Sequence, residues 1–286
     1  MVQDAVSNPK WRYFLPSLNS TMPGTAVITG ASSGIGRTYA EKLAKRGYGL
    51  VLVARREDRL KQIAESLQND FSIEAKVLVA DLSKPAGVAV LSKYIAKSES
   101  LSILVNNAGI SAITPLTDTP DETIAAMIQL NIIAVTELSK AALLNFKSKG
   151  SGTIINIGSG VGFSPFSAVP IYSATKAYVY LLTQNLQGEV AGTDIRVQVV
   201  VPGAVKSEGW DRAVDAGMNS VPEEIVMSTG DCVDASLSGL DLGEVVTAPS
   251  LENISALQDY ERAAGMLVQS MFNGTPATRY SVGKTA

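Results

Sequence analysis

Tyr172-Ser173-Ala174-Thr175-Lys176 puts a phenol and an ammonium four residues apart, neighbours on one face if the segment is helical. A free phenol, with a pKa of about 10, exchanges protons poorly at neutral pH. A nearby ammonium favours the phenolate and lowers that pKa. The pair is a candidate proton donor and acceptor, and it gains weight because the chain contains no histidine, the commonest acid–base residue near neutral pH. Ser–His triads and histidine-ligated metal sites are excluded by the same count. Tyr and Lys at this spacing also decorate ordinary helix surfaces, so the pair alone does not make a site. Ser159 follows the apolar run Thr153–Ile157. It could hydrogen-bond a substrate carbonyl, or it could be a plain turn residue between Gly158 and Gly160.

A second group of residues suits a nucleotide. Gly30-Ala31-Ser32-Ser33-Gly34-Ile35-Gly36 follows the first apolar run. Glycines permit positive φ and close backbone approach, and a following helix offers unpaired N–H groups to a pyrophosphate. The spacing is G-x-x-x-G-x-G and serves a tight strand-to-helix turn equally well. After the second run, where NAD-binding folds place an acidic residue for the ribose 2′-hydroxyl, this chain has Ala54-Arg55-Arg56, and Arg37 follows Gly36. A guanidinium binds a phosphate bidentately. Arg37 and Arg55 are therefore assigned to a 2′-phosphate, and Arg56 to a solvated helix start. The cofactor expected is NADP(H).

These groups need a scaffold. Apolar, β-branched runs occur at Thr25–Thr29, Gly49–Val53, Ala75–Ala80, Leu101–Val105, Thr153–Ile157, Arg196–Val201 and Val245–Thr247. Helical spacing fills Gly36–Arg46, Arg56–Asn69 and Pro85–Lys97 between them. This alternation predicts an α/β, Rossmann-like, doubly wound parallel sheet of about seven strands with helices on both faces. Ligands of such sheets bind beyond the carboxyl ends of the strands. There this chain places the glycine loop, Arg55, Asp81-Leu82, Asn106-Asn107-Ala108-Gly109, Gly158-Ser159 and Pro202-Gly203. Thr119-Pro120-Asp121-Glu122 predicts a helix with Thr119 as N-cap and Pro120 at its first position. Ile124, Ile128, Val135 and Leu138 predict its apolar stripe. Asn131 falls on that stripe, either as a local structural hydrogen-bonder or as part of a polar site. Asp231–Leu240 and Leu251–Phe272 read as further helices.

Thr29-Gly30-x-x-x-Gly34-x-Gly36, Asn106-Asn107-Ala108-Gly109, Asn131, Ser159, Tyr172-x-x-x-Lys176 and Pro202-Gly203 occur in one order. The combination resembles the short-chain dehydrogenase/reductase family, in its compact single-domain branch, from about Pro23 to the C-terminus. The resemblance implies that Tyr172 is the catalytic acid in reduction and base in oxidation. Lys176 would hold the nicotinamide ribose, Ser159 would polarise the substrate oxygen, and Asn131 would hold a water linking Lys176 to solvent. It further implies that Gly30, Ser32, Ser33, Ile35 and Gly36 line the pyrophosphate. Asp81 and Leu82 would meet the adenine, and Asn107 and Gly109 its ribose. Val200, Pro202 and Gly203 would frame the nicotinamide, with Val205 and Ser207 beyond them. Ser207 stands where the family often has Thr.

Residues 1–22 have no place in that pattern and read as an N-terminal extension, leaving 23–286 as a single catalytic domain with a substrate lid at about 204–226. Val205, Trp210, Met218 and Val221 on the lid, and Phe163, Phe166 and Val169 opposite, suit a hydrophobic ketone or aldehyde. The resemblance adds packing as a homodimer or homotetramer through the helices holding Asn131 and Tyr172. A formal net charge of −3 argues against nucleic acid or anionic membrane as partner. No apolar run is read as long enough to span a bilayer, and a cytoplasmic protein is expected. No metal is expected, and the lone Cys232 has no partner for a disulfide. A non-catalytic NADP(H) sensor on the same fold is the alternative, though it should lack one of Ser159, Tyr172 and Lys176. A lyase or epimerase would call for an additional acid–base pair.

Overall fold

The computed structural model describes residues 23–208 and 222–280. The N-terminal extension with Trp11 and Tyr13, and Trp210, Met218 and Val221 of the expected lid, lie outside the described residues. The strands are β1 (Thr25–Thr29), β2 (Gly49–Ala54), β3 (Ala75–Val79), β4 (Leu101–Asn106), β5 (Ser151–Ile157), β6 (Asp194–Val200) and β7 (Val246–Thr247). Among the described residues they form one parallel sheet in the order β3-β2-β1-β4-β5-β6-β7. The chain therefore reverses its winding between β1 and β4, the switch point at which such sheets bind ligands.

The near-continuous apolar strands follow from burial on both faces. Ala26 and Ile28 of β1 enter a core with Tyr39 and Leu43 of α1 (Gly34–Lys45), Leu60 and Leu67 of α2 (Glu57–Phe71), and Val233 and Leu237 of α7 (Thr229–Asp241). Val27 points the opposite way. It packs with Leu91 and Ile95 of α3 (Pro85–Lys97) and with Leu138 and Phe146 of α5 (Val135–Lys149). Lys42 to Asp234 (2.6 Å) and a two-pronged Arg46–Asp241 contact tie α1 to α7. Cys232 is buried on α7, and burial pushes its thiol pKa up to about 11.

Three expectations for the helical middle of the chain are corrected. Helix α4 (Asp121–Ile128) starts one residue later than read, with Pro120 as N-cap. Thr119 is buried, and its hydroxyl donates back to the Pro115 carbonyl instead of capping. The apolar stripe is also phased differently. Residues Gln129–Ala134 form a π-turn between α4 and α5, which adds a residue to the turn and rotates what precedes it. Met127, Leu130, Asn131 and Ala134 are buried, whereas Ile128 is exposed. Finally, Asp121–Lys149 is continuous and includes an 18-residue window of mean hydropathy 1.4, long and apolar enough to cross a membrane by composition. That corrects the expectation of no such run. A helix that packs on a sheet and on α3 carries the same composition, and 56% of the window is buried.

Helix α6 (Pro170–Glu189) packs along β6. Residues 23–250 form one compact unit, and the described part of 251–286 belongs to a second. The second unit contains α8 (Ser255–Met271), which exposes Met266, Leu267 and Met271.

Candidate active site

The carboxyl ends of β1 and β4 are joined by the side chains of Thr29, which carries no role in the sequence reading, and Asn107, which the resemblance places at the adenine ribose. Thr29 Oγ1, at the end of β1, accepts from the backbone N–H of Asn107 (2.9 Å) and of Ala108 (3.0 Å) and donates to the Val105 carbonyl. Asn107 Nδ2 returns to the Thr29 carbonyl at 2.9 Å. The side chain of Asn107 thus braces the glycine loop. Thr29→Val would strip two partly buried N–H groups of their acceptor, so we expect a loss of about 1–3 kcal/mol, measured as a lower midpoint in urea unfolding.

The loop has the geometry a phosphate cradle needs. Gly30 and Gly34 have φ of +69° and +54°, where a side chain is strained. A Cβ on Gly36 would stand 2.4 Å from the Gly30 carbonyl oxygen, so the loop closes on α1 only with glycine there. Ser33 is the N-cap of α1, but its side chain makes no capping bond. Ser32 and Ser33 instead accept from Arg56, whose Nη2 lies 2.9 and 3.0 Å from their hydroxyl oxygens. This corrects the reading of Arg56. Arg56, read as a solvated helix start, is the cation on the glycine loop. Arg37 turns to Glu41 on its own helix at 2.9 Å, and Arg55 is exposed beside Asp81. Burial would raise the Asp81 pKa, but hydrogen bonds from Ser83 and the charges of Arg55 and Lys84 outweigh it and hold it below the usual value. Leu82 is buried.

Ser207 lies against the loop, its Cβ 3.1 Å from where a Gly34 Cβ would be. The segment before it is anchored by a parallel bridge of Val205 to Met227, with Lys206 N–H donating to the Met227 carbonyl. Pro202 is buried and accepts from Gly160 N–H at 2.9 Å. Gly203 is exposed, and Ile35 is half-buried at the first turn of α1.

The second half of the site lies at the ends of β5 and on α6. Ser159 accepts from Val161 N–H at 3.4 Å and lies close enough to Tyr172 to pull the phenol pKa down. Lys176 is buried, donates from Nζ to the Ile157 carbonyl at 2.7 Å, and stands 5.5 Å from the centre of the Tyr172 ring. Burial lowers the Lys176 pKa to about 8, so the ammonium is still the major form at neutral pH. For Tyr172 the expected direction is reversed. Desolvation pushes its pKa up to about 12, against the pull of Ser159. With Lys176 engaged by Ile157, the phenol is held protonated, the form in which it can act as an acid. Gly162 lets the Gly160–Phe163 turn reach α6, where a Cβ would meet the Lys176 backbone at 2.8 Å. Neither Gly162 nor Ile157 was singled out in the sequence.

Asn131 does the local work that was one of its two readings. Its amide accepts from Ile110 N–H (3.0 Å) and donates to the Ile110 carbonyl (2.9 Å) and to Thr175 Oγ1 (3.1 Å). It also borders the polar site: a Cβ on Gly109 would lie 3.3 Å from Asn131 Oδ1 and 3.9 Å from Lys176 Nζ. Of the expected substrate wall, Val169 is buried, Phe166 is exposed, and Phe163 stacks edge-on against Tyr180.

A glycine-rich loop at the switch point and a Ser159–Tyr172–Lys176 cluster thus share one edge of the sheet. A family model for short chain dehydrogenases matches residues 24–216. The chain belongs to the short-chain dehydrogenase family. This short-chain dehydrogenase is 37% identical over 181 residues to the very-long-chain 3-oxoacyl-CoA reductase-A of Danio rerio, a match covering 62% of this chain and 56% of that protein. The chain therefore spans little more than half the length of that relative. Among solved structures it is similar to a short-chain dehydrogenase from Sphingobium yanoikuyae in complex with NADPH, with 40% identity and a TM-score of 0.86 over 90% of this chain and 100% of that one. It is also similar to the bulky-bulky ketone specific alcohol dehydrogenase from Comamonas testosteroni, with 37% identity and a TM-score of 0.83 over 91% of this chain and 100% of that one.

Proposed function

We propose that the protein is an NADP(H)-dependent oxidoreductase that reduces a fairly hydrophobic ketone or aldehyde, or oxidises the corresponding alcohol. The observation that carries this reading is the cluster of Ser159, Tyr172 and Lys176, with a buried ammonium 5.5 Å from the centre of the Tyr172 ring. The nicotinamide, when bound, supplies or takes up the hydride. Ser159 orients the substrate oxygen and Tyr172 gives it a proton. Lys176 holds the nicotinamide ribose, and its charge eases loss of the Tyr172 proton. Asn131, beside Lys176, positions the water through which the proton is restored.

The residues present fit the cofactor. The Gly30–Gly36 loop leaves no room for side chains at Gly30 or Gly36, where a Cβ would meet Asn107 or the Gly30 carbonyl. Ser32, Ser33 and Ile35 complete the pyrophosphate cradle. Asp81, Leu82, Asn107 and Gly109 take the adenosine half, and Pro202, Gly203, Val205 and Ser207 the nicotinamide half. Arg56 on the glycine loop, with Arg55 beside it in sequence and Arg37 on the first turn of α1, favours NADP(H), in keeping with the NADPH complex of the Sphingobium yanoikuyae relative. Exposed Phe166 and buried Val169 and Val205 favour an apolar substrate, as does the similarity to a dehydrogenase specific for bulky ketones. Exposed Ile133, Leu144 and Leu181 on the helices holding Asn131 and Tyr172 favour a homodimer or homotetramer. A cytoplasmic protein working without membrane or nucleic acid completes the reading.

Cofactor choice tests it. Losing one charge-assisted contact should raise the NADPH dissociation constant about 10- to 100-fold in Arg56→Ala. Arg55→Ala should act in the same direction, and NADH affinity should scarcely change in either. Equal affinity of the parent protein for NADPH and NADH, by fluorescence titration, would overturn the NADP(H) assignment.

A further inference from the structure

We propose that Glu208 is an internal stand-in for the cofactor's 2′-phosphate, which holds Arg56 and Arg59 in the cofactor-free protein and thereby sets the NADPH/NADH selectivity. The inference rests on the NADP(H) reading above and adds a residue that opposes it.

The geometry is specific. Arg56 divides its guanidinium, with Nη2 on the Ser32 and Ser33 hydroxyls and Nη1 on Glu208 Oε2 at 2.8 Å. The second carboxylate oxygen, Oε1, accepts from Arg59 on the first turn of α2. One carboxylate is thus shared between two arginines just beyond β2, where a dinucleotide fold holds the adenosine ribose. These arginines hold the Glu208 pKa below the usual carboxylate value. Glu208 follows Ser207, which lies against Gly34 of the phosphate loop, and the bridge from Val205 to Met227 fixes the segment before it. The carboxylate is therefore carried to the arginines by backbone that is itself part of the site.

A 2′-phosphate needs the same donors. With Glu208 in place it would find Arg56 and Arg59 neutralised and would face a like charge. NADPH must displace the carboxylate, whereas NADH, with a free 2′-hydroxyl, need not. An acidic group at that place is also an acceptor for such a hydroxyl. Glu208 thus weakens binding of the phosphorylated nucleotide and spares the other, so it narrows the preference that Arg56 creates.

The test is calorimetric titration of the full chain with 2′-AMP, 5′-AMP, NADPH and NADH, comparing the parent with Glu208→Gln and Glu208→Asp. Two half-exposed ion pairs are at stake, so Glu208→Gln should tighten 2′-AMP and NADPH about 2- to 30-fold. Affinity for 5′-AMP should stay within about twofold, and NADH should not tighten. Glu208→Asp keeps the charge and should tighten 2′-AMP less than Glu208→Gln does. Unchanged or weaker 2′-AMP binding in Glu208→Gln would overturn the inference, as would equal tightening in both variants, which would mark a merely structural role. If the parent prefers 2′-AMP over 5′-AMP and Glu208→Gln does not increase that preference, only this inference fails. If neither protein prefers 2′-AMP, the NADP(H) reading fails with it.

Discussion

Tyr172→Phe should lower kcat by about 10²–10⁴-fold, the usual contribution of a positioned acid–base group, while leaving folding and NADPH binding intact. The substitution removes one oxygen and keeps a ring of the same shape on α6. The chain has no histidine to take over, and Ser159 has a hydroxyl too weakly acidic to replace the phenol. Lys176→Ala should cause a comparable fall and in addition weaken NADPH binding. It also removes the donor to the Ile157 carbonyl, so part of its effect is structural. The two losses should not add in the double variant, because the groups act as one unit. Steady-state turnover and NADPH titration of both single variants and the double decide the matter. A Tyr172→Phe protein that keeps more than about a tenth of parental turnover, with chemistry rate-limiting, would remove Tyr172 from the proton path.

Gly36→Ala should have the second largest effect. Its Cβ would stand 2.4 Å from the Gly30 carbonyl oxygen and 2.5 Å from Asn107 Nδ2, and neither neighbour is free to yield. Gly30 is held at positive φ, and Asn107 is tied to the Thr29 carbonyl at 2.9 Å. Either the loop opens or α1 moves off the sheet. We expect a destabilisation of about 1–3 kcal/mol, typical of overpacking. NADPH affinity should fall at least about 100-fold, because the loop backbone no longer closes on the pyrophosphate. Urea unfolding and NADPH titration measure the two parts separately. A variant that binds NADPH normally would show that the loop does not cradle the phosphates.

Much of this architecture is legible without coordinates, for reasons that can be named. Each strand buried on both faces is a nearly unbroken apolar run, so β1 at Thr25–Thr29 could be read with its observed bounds and β7 to within one residue. Polar and glycine residues at the strand ends had nowhere to point but toward one edge of the sheet. What could not be read depends on side-chain direction and on distant pairing. Arg55 and Arg56 are adjacent, and only the extended backbone of Arg56 before α2 decides which guanidinium reaches Ser32 and Ser33. Glu208 meets Arg56 across 152 positions of sequence, and no local pattern announces that. The π-turn at Gln129–Ala134 has no periodic signature, so helical spacing places Ile128 on the stripe although it is exposed, whereas Asn131 is buried as the stripe implies. Spacing reveals the Lys176 ammonium near Tyr172 but not the burial, which raises the phenol pKa.

The most direct test of the account follows the hydride itself. The parent protein is given NADPH deuterated at the transferable position of the nicotinamide, together with a panel of hydrophobic ketones and aldehydes, and the products are analysed by mass spectrometry. At least one carbonyl should be reduced to an alcohol carrying one deuterium on the carbinol carbon, and Tyr172→Phe should lose this product. Tight NADPH binding without deuterium transfer to any compound of a broad panel would contradict the proposed function and would point to a protein that senses the nucleotide without using it.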